Sequence, residues 1–166
     1  MTVTAYSIIA DCVLSYLMDN NLLHPALHGF LKYRSTCTNL LECLYDWTVV
    51  LQDSNAVTVV YIDFCKTFDT MSHPKLIAKL TSHGIGGNLS SWFQEYLNSR
   101  LHCTCIGNIY SIFVPMLSSI IQGCVIGPLL FLIFINNLIE LLASTGISLK
   151  VFADVMKVYV RVSAFC

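Results

Sequence analysis

Two aspartates stand where apolar strands would end. Asp63 closes the run Val57-Thr58-Val59-Val60-Tyr61-Ile62, and Asp154 follows Leu149-Lys150-Val151-Phe152-Ala153. A carboxylate buried there without a partner would cost free energy. Two such strands side by side would bring both carboxylates to one point of a sheet. Mg²⁺ is the natural occupant, because it takes hard oxygen ligands and often binds through one or two carboxylates plus substrate phosphates. A pair of such ions can polarise an attacking hydroxyl and a leaving pyrophosphate together. On spacing alone, two unrelated strand-end or turn aspartates remain the alternative. His102, Cys103 and Cys105 form a second cluster, but a structural zinc site wants four ligands in two spaced pairs, and no second pair is evident. The eight cysteines otherwise read as small hydrophobes.

The chain that must position these groups is unusually apolar. Of its 166 residues, 55% are hydrophobic and 11% charged, against about 25% charged in an average domain. Mean hydropathy is +0.67. Such a composition excludes a disordered chain, a coiled coil and a collagen-like repeat. A net charge of -1 argues against a strongly basic nucleic-acid surface. Residues 101–139 carry no formal charge. A membrane span over 125–143 would be interrupted by Pro128, Asn136, Asn137 and Glu140. The apolar run at 124–135 has the length of a buried core helix, so no stable membrane insertion is expected. No basic segment precedes Ile8-Ile9-Ala10, so no secretory signal is expected either.

Periodicity supplies the elements. Apolar spacing predicts helices over 5–18 and 37–51, the second capped by Ser35 or Thr36 with a buried stripe of Leu40, Leu41, Leu44, Tyr45 and Trp47. Residues 57–64 read as a central strand, apolar on both faces. A helix opens at Ser72-His73-Pro74 and stops at Gly84, and another runs over 88–98. Residues 101–106 and 109–114 form hairpin arms around Gly107-Asn108. Pro128 leads into the apolar helix, and 147–162 forms two strands around Ala153-Asp154. The order implies an α+β fold, a mainly antiparallel sheet backed by helices.

Five motifs in register are similar to a known family. Residues 60–69, Val-Tyr-Ile-Asp-Phe-Cys-Lys-Thr-Phe-Asp, resemble V-Y-L-D-F-S-K-A-F-D, the reverse-transcriptase pattern of LINE-type, jockey-like non-LTR retrotransposons. Residues 122–131 resemble Q-G-S-V-L-G-P-L-L-F, residues 134–138 F-I-N-D-L, and residues 152–155 F-A-D-D. Residues 28–36 resemble H-G-F-R-K-G-R-S-T. The resemblance implies an RNA-directed DNA polymerase acting on an RNA template, a DNA primer and deoxynucleoside triphosphates with two Mg²⁺ ions. It implies a polymerase palm over 56–166 and part of the fingers over 1–55, with the thumb missing. Asp63 and Asp154 become the catalytic metal ligands, joined by the backbone carbonyl of Phe64. Phe68 becomes the gate against a ribose 2′-hydroxyl, with ordinary core as its alternative. Gln122 and Gly123 become the loop against the incoming nucleotide. Lys32 and Arg34 sit toward template or phosphates, or form a solvated basic loop. Asp69 and His73 cap or brace the helix that follows. An intracellular location, cytoplasmic or nuclear, is expected.

The departures carry equal information. Val155 replaces the second aspartate of F-A-D-D, and an isopropyl group cannot ligate a metal. Leu31 stands for an arginine, Tyr33 for a glycine, Cys124 for a serine and Asn137 for an aspartate, and Cys103 lies where relatives often carry arginine. With Val155 and the absent thumb, the expected protein is an impaired, truncated copy. The alternatives are a non-catalytic nucleic-acid-binding remnant or a small membrane protein.

Overall fold

Helical periodicity and terminal signals produce five helices in the computed structural model, which describes residues 3–163. Helix α1 spans Val3–Asp19 and α2 Thr36–Gln52; strand β1 spans Ala56–Asp63. Helices α3 (His73–Ser82) and α4 (Gly87–Asn98) follow, then four two-residue strands, β2 (Leu101–His102), β3 (Cys105–Ile106), β4 (Ile109–Tyr110) and β5 (Val114–Pro115). Helix α5 (Gly127–Ser144) precedes the strands β6 (Ser148–Phe152) and β7 (Val155–Val162). All strand pairs are antiparallel. The mixed helix-and-sheet architecture agrees with the reading from the sequence. Cys166 lies outside the described residues.

Internal contacts divide the chain into two units, each drawn from two separate parts of the sequence. A sheet unit takes the described residues of Met18–Cys65 and Ile135–Cys166. Its sheet has the order β1-β7-β6, so β1 is an edge strand among the described residues. The expectation of a central strand is thereby corrected. Val60, Tyr61 and Ile62 are exposed. β7 is the central strand instead. Beyond β6, the loop at 26–28 adds a parallel bridge from Leu27 to Val151. The His28 N–H donates to the Val151 carbonyl at 2.8 Å, and the Val151 N–H to that of Ala26 at 2.9 Å.

Helix α2 starts in a capping box: the Ser35 hydroxyl accepts from the Thr38 N–H, and the Thr38 hydroxyl from the Ser35 N–H. Its orientation corrects the expected stripe. Leu40, Leu41, Leu44 and Tyr45 are exposed, Trp47 is half-buried, and the inward face carries Asn39 and Cys43. The reason is a polar seam against β6 and β7. Lys150 donates to Glu42 at 2.5 Å, His28 Nε2 lies 3.0 Å from the same carboxylate, Lys157 donates to Asn39 at 2.6 Å, and Tyr159 donates to Asp46. Buried polar groups must be paired, and rotating α2 to bury its leucines would break all four contacts. Burial alone would raise the Glu42 carboxyl, but hydrogen bonds from Lys150 and His28 outweigh it and hold the group below its ordinary value.

The helical unit takes the described residues of Met1–Leu17 and Lys66–Phe134. Helices α3 and α4 pack together through buried Leu76, Leu80, Phe93 and Leu97. Pro stands in the first turn of α3, and Gly84 at φ 81° follows its end. The expected hairpin exists but is broken: β2 pairs with β5 and β3 with β4, with no strand between them. Its residues Ile106, Ile109, Tyr110, Ile112 and Phe113 are exposed. Helix α5 is long and apolar enough to cross a membrane, yet half of it is buried within the chain.

Candidate active site

The alternation of β6 and β7 places a two-residue turn, Ala153-Asp154, between the closing pair Phe152 and Val155. Ala153 takes φ 51°, the left-handed region that tight hairpins need. β1 pairs alongside so that Asp63 lies directly across from Val155. The Phe64 N–H then donates to the Asp154 carbonyl at 3.1 Å. Asp63, Phe64 and Asp154 therefore meet at one end of the sheet. Asp63 is exposed and Asp154 half-buried. Neither side chain has a hydrogen bond or ion pair among the described residues.

Gly29 is a site residue that the sequence did not single out. A Cβ there would fall 2.3 Å from the Ala153 amide nitrogen. Only glycine lets the loop at 28–30 lie against the turn that presents Asp154. The signal was the Gly of the His28-Gly29-Phe30 motif, which has no meaning until the partner backbone is seen. Tyr33, where the resembling pattern has glycine, is held at φ 65° and is fully exposed. A glycine would adopt that conformation without strain.

Arg34 is half-buried, and its Nη1 donates to the carbonyls of Pro25 at 2.5 Å and Leu27 at 3.2 Å. It thus ties the loop at 25–34 to itself. Lys32 is exposed. Asn136 is fully buried: its Oδ1 accepts from the His24 N–H at 2.7 Å and its Nδ2 donates to Leu22 and Glu140. The polar interruption of the apolar helix is therefore a clamp on the loop at 22–24.

The remaining expected residues belong to the helical unit. Phe68 is half-buried, its ring 5.5 Å from that of Phe131, and its carbonyl accepts from the Ile120 N–H at 2.8 Å. Gln122 and Gly123 are exposed, with Gly123 at φ 81°. His73 does not cap α3. Its Nε2 lies 2.8 Å from the Ser119 carbonyl and braces the loop before α5. Asp69 contributes its carbonyl to the Ser118 hydroxyl, not a side-chain cap.

The oxygen donors at the sheet end suit Mg²⁺ in type. Their number is small. Among the described residues no three His, Cys, Asp or Glu side chains gather into a metal-holding group. The position facing Asp63 is filled by Val155. The set offers the two carboxylates of Asp63 and Asp154, and Val155 brings no third.

Comparison with known proteins agrees with the motif register. The chain is 26% identical over 137 residues to the probable RNA-directed DNA polymerase from transposon BS of Drosophila melanogaster, covering 79% of this chain and 14% of that protein. The chain therefore spans a small part of that relative's length. Residues 2–162 match the family described as reverse transcriptase (RNA-dependent DNA polymerase). With nearly its whole length matched, this chain belongs to the reverse transcriptase family.

Proposed function

We propose that the sheet end carries RNA-directed DNA synthesis of the non-LTR, jockey-like kind, in a form impaired by Val155. The observation that supports this reading is the register: Asp63 faces Val155, one residue from Asp154. In this reading Asp63 and Asp154 hold Mg²⁺, with the Phe64 carbonyl beside them. The primer 3′-hydroxyl attacks the α-phosphorus of a deoxynucleoside triphosphate, a P–O bond forms, and pyrophosphate leaves. Bound Mg²⁺ would stabilise charge on both the entering and leaving oxygens. Phe68, buttressed by Phe131, crowds the ribose 2′ position, and Gln122 with Gly123 borders the nucleotide. Lys32 faces the template, and Arg34 shapes its loop. Residues 56–166 serve as palm and 1–55 as part of the fingers.

Val155 removes a ligand and one negative charge. Loss of even an outer-shell partner weakens a metal site by about 10–100-fold, so a lost ligand is expected to lower activity at least about 100-fold. The test is Mg²⁺-dependent primer extension by the chain and by Val155→Asp at equal folded concentration. The reversion should extend the primer at least about 100-fold faster. Equal, robust extension by the unaltered chain would remove the impairment. If neither extends while both are folded, the polymerase reading of this chain fails.

A further inference from the structure

A cleft in the helical unit is used by none of the chemistry above. It is lined by Tyr6, Trp92, Glu95, Tyr96, Ser99 and Arg100 and encloses about 360 Å³. That lies near the lower end of the range of roughly 300–1,000 Å³ for small-ligand sites.

Its three rings fix one another. Trp92 and Tyr96, one helical turn apart on α4, are near-parallel at 19° with centroids 5.7 Å apart. Tyr6 reaches in from α1, 5.8 Å from Trp92 and 5.6 Å from Tyr96. Arg100 lies over the Tyr96 ring at 4.0 Å and donates its Nε to the Tyr96 carbonyl at 2.8 Å. Tyr96 is half-buried, and burial together with a hydrogen bond to Cys124 pushes the pKa of its hydroxyl up.

The polar groups at the cleft are left open. The terminal nitrogens of Arg100, the Glu95 carboxylate, the Tyr6 hydroxyl and the Trp92 indole N–H have no partner among the described residues. Arg100 already covers the Tyr96 face, and its positive charge repels a small organic cation. A purely apolar ligand would leave the polar rim unanswered. A flat ring with its own donors and acceptors, joined to one anionic group, satisfies both the walls and the rim. We propose that this cleft is a stacking site for one nucleotide, its base against Tyr6 and Trp92 and its phosphate on Arg100. Stacking on aromatic side chains holds single strands with little sequence preference, and each base contributes about 1–3 kcal/mol. With Glu95 balancing Arg100, the site answers one phosphate and not a run of them. Nothing in this assignment depends on Asp63 or Asp154.

The experiment uses the full chain with Trp47→Phe, which leaves Trp92 as its one tryptophan. Its fluorescence is titrated with adenosine 5′-monophosphate and with a single-stranded oligoadenylate. Saturable quenching is expected. A similar affinity for both assigns the site to a free nucleotide, and tighter binding of the oligomer to a strand; either supports the proposal. Arg100→Gln should weaken binding about tenfold, the loss of a contact to a charged group. The oligomer's log affinity should fall with log salt at a slope of about -0.7, the value for one neutralised phosphate on a single strand. Tyr6→Leu should also weaken binding and serves if Arg100→Gln does not fold. No quenching by either ligand would overturn the proposal. So would quenching unchanged by a folded variant, or equal quenching by tetramethylammonium.

Discussion

Helices α2 and α5 have nearly the same length, 17 and 18 residues, and opposite solutions to burial. In α5 most apolar residues go inside: Leu130, Phe131 and Ile133 are fully buried, while Leu141 stays exposed. The one fully buried polar side chain of α5, Asn136, has its hydrogen bonds made. In α2 the order is reversed. Leu41, Tyr45 and Leu51 face outward at 59%, 72% and 60% exposure, while Asn39, Glu42 and Asp46 bond to the sheet. The difference lies in what each helix meets. The sheet presents Lys150, Lys157 and Tyr159 to α2. An unpaired cation or hydroxyl beneath a helix would cost more than an exposed leucine forfeits.

Cavity formation gives the sharpest test of this contrast. Leu130→Ala in α5 should cost about 2–5 kcal/mol, as for a fully buried leucine, while Leu41→Ala in α2 should stay within about 0.5 kcal/mol. Urea unfolding of both variants measures the difference. A large loss at Leu41 would mean that the outer face of α2 is covered in solution, and the contrast would fail.

Asn136→Ala asks whether the polar residue in α5 belongs to the fold. It strands the His24 N–H and the Leu22 carbonyl, and the expected loss is about 1–3 kcal/mol. Stability equal to that of the unaltered chain would show that water replaces the clamp.

The smallest effect belongs to the α2 seam. Because Glu42 titrates below its ordinary value in the folded chain, its stabilisation is present above the unfolded pKa of about 4.3. It is lost as pH falls through the lower folded value. Glu42 is 44% exposed, so solvent screens the pair and the effect is about 1 kcal/mol or less. Unfolding free energy measured against pH should decline on the acid side of about pH 4, and Glu42→Gln should flatten that decline. An unchanged acid limb would assign it to other carboxylates.

Where the sequence was legible, the physics was local. Ser35 or Thr36 announced a helix start, Gly84 a stop and Pro128 an entry. The alternation around Ala153-Asp154 announced a hairpin, and the order of motifs matched the family before any contact was known. Where it was not legible, the deciding partner lay far along the chain. The period of α2 fitted a helix, but the stripe of leucines read as its buried face is exposed, and its polar residues turn inward instead. The choice between them rests on Lys150 and Lys157, more than a hundred residues away. β1 is apolar on both faces, as a central strand would be, and only the strand order makes it an edge.

The candidate site divides in the same way. By itself the sequence determined the fold class, the two strand-end aspartates, the family pattern they stand in, and the valine where that pattern has a carboxylate. Residue type and short-range spacing suffice for each of these. Tertiary structure decided that Asp63 faces Val155, that Gly29 must lack a side chain to lie against Ala153, and which face of α2 turns inward. Register, close backbone approach and the pairing of buried charges are relations between distant residues, and no local period encodes them.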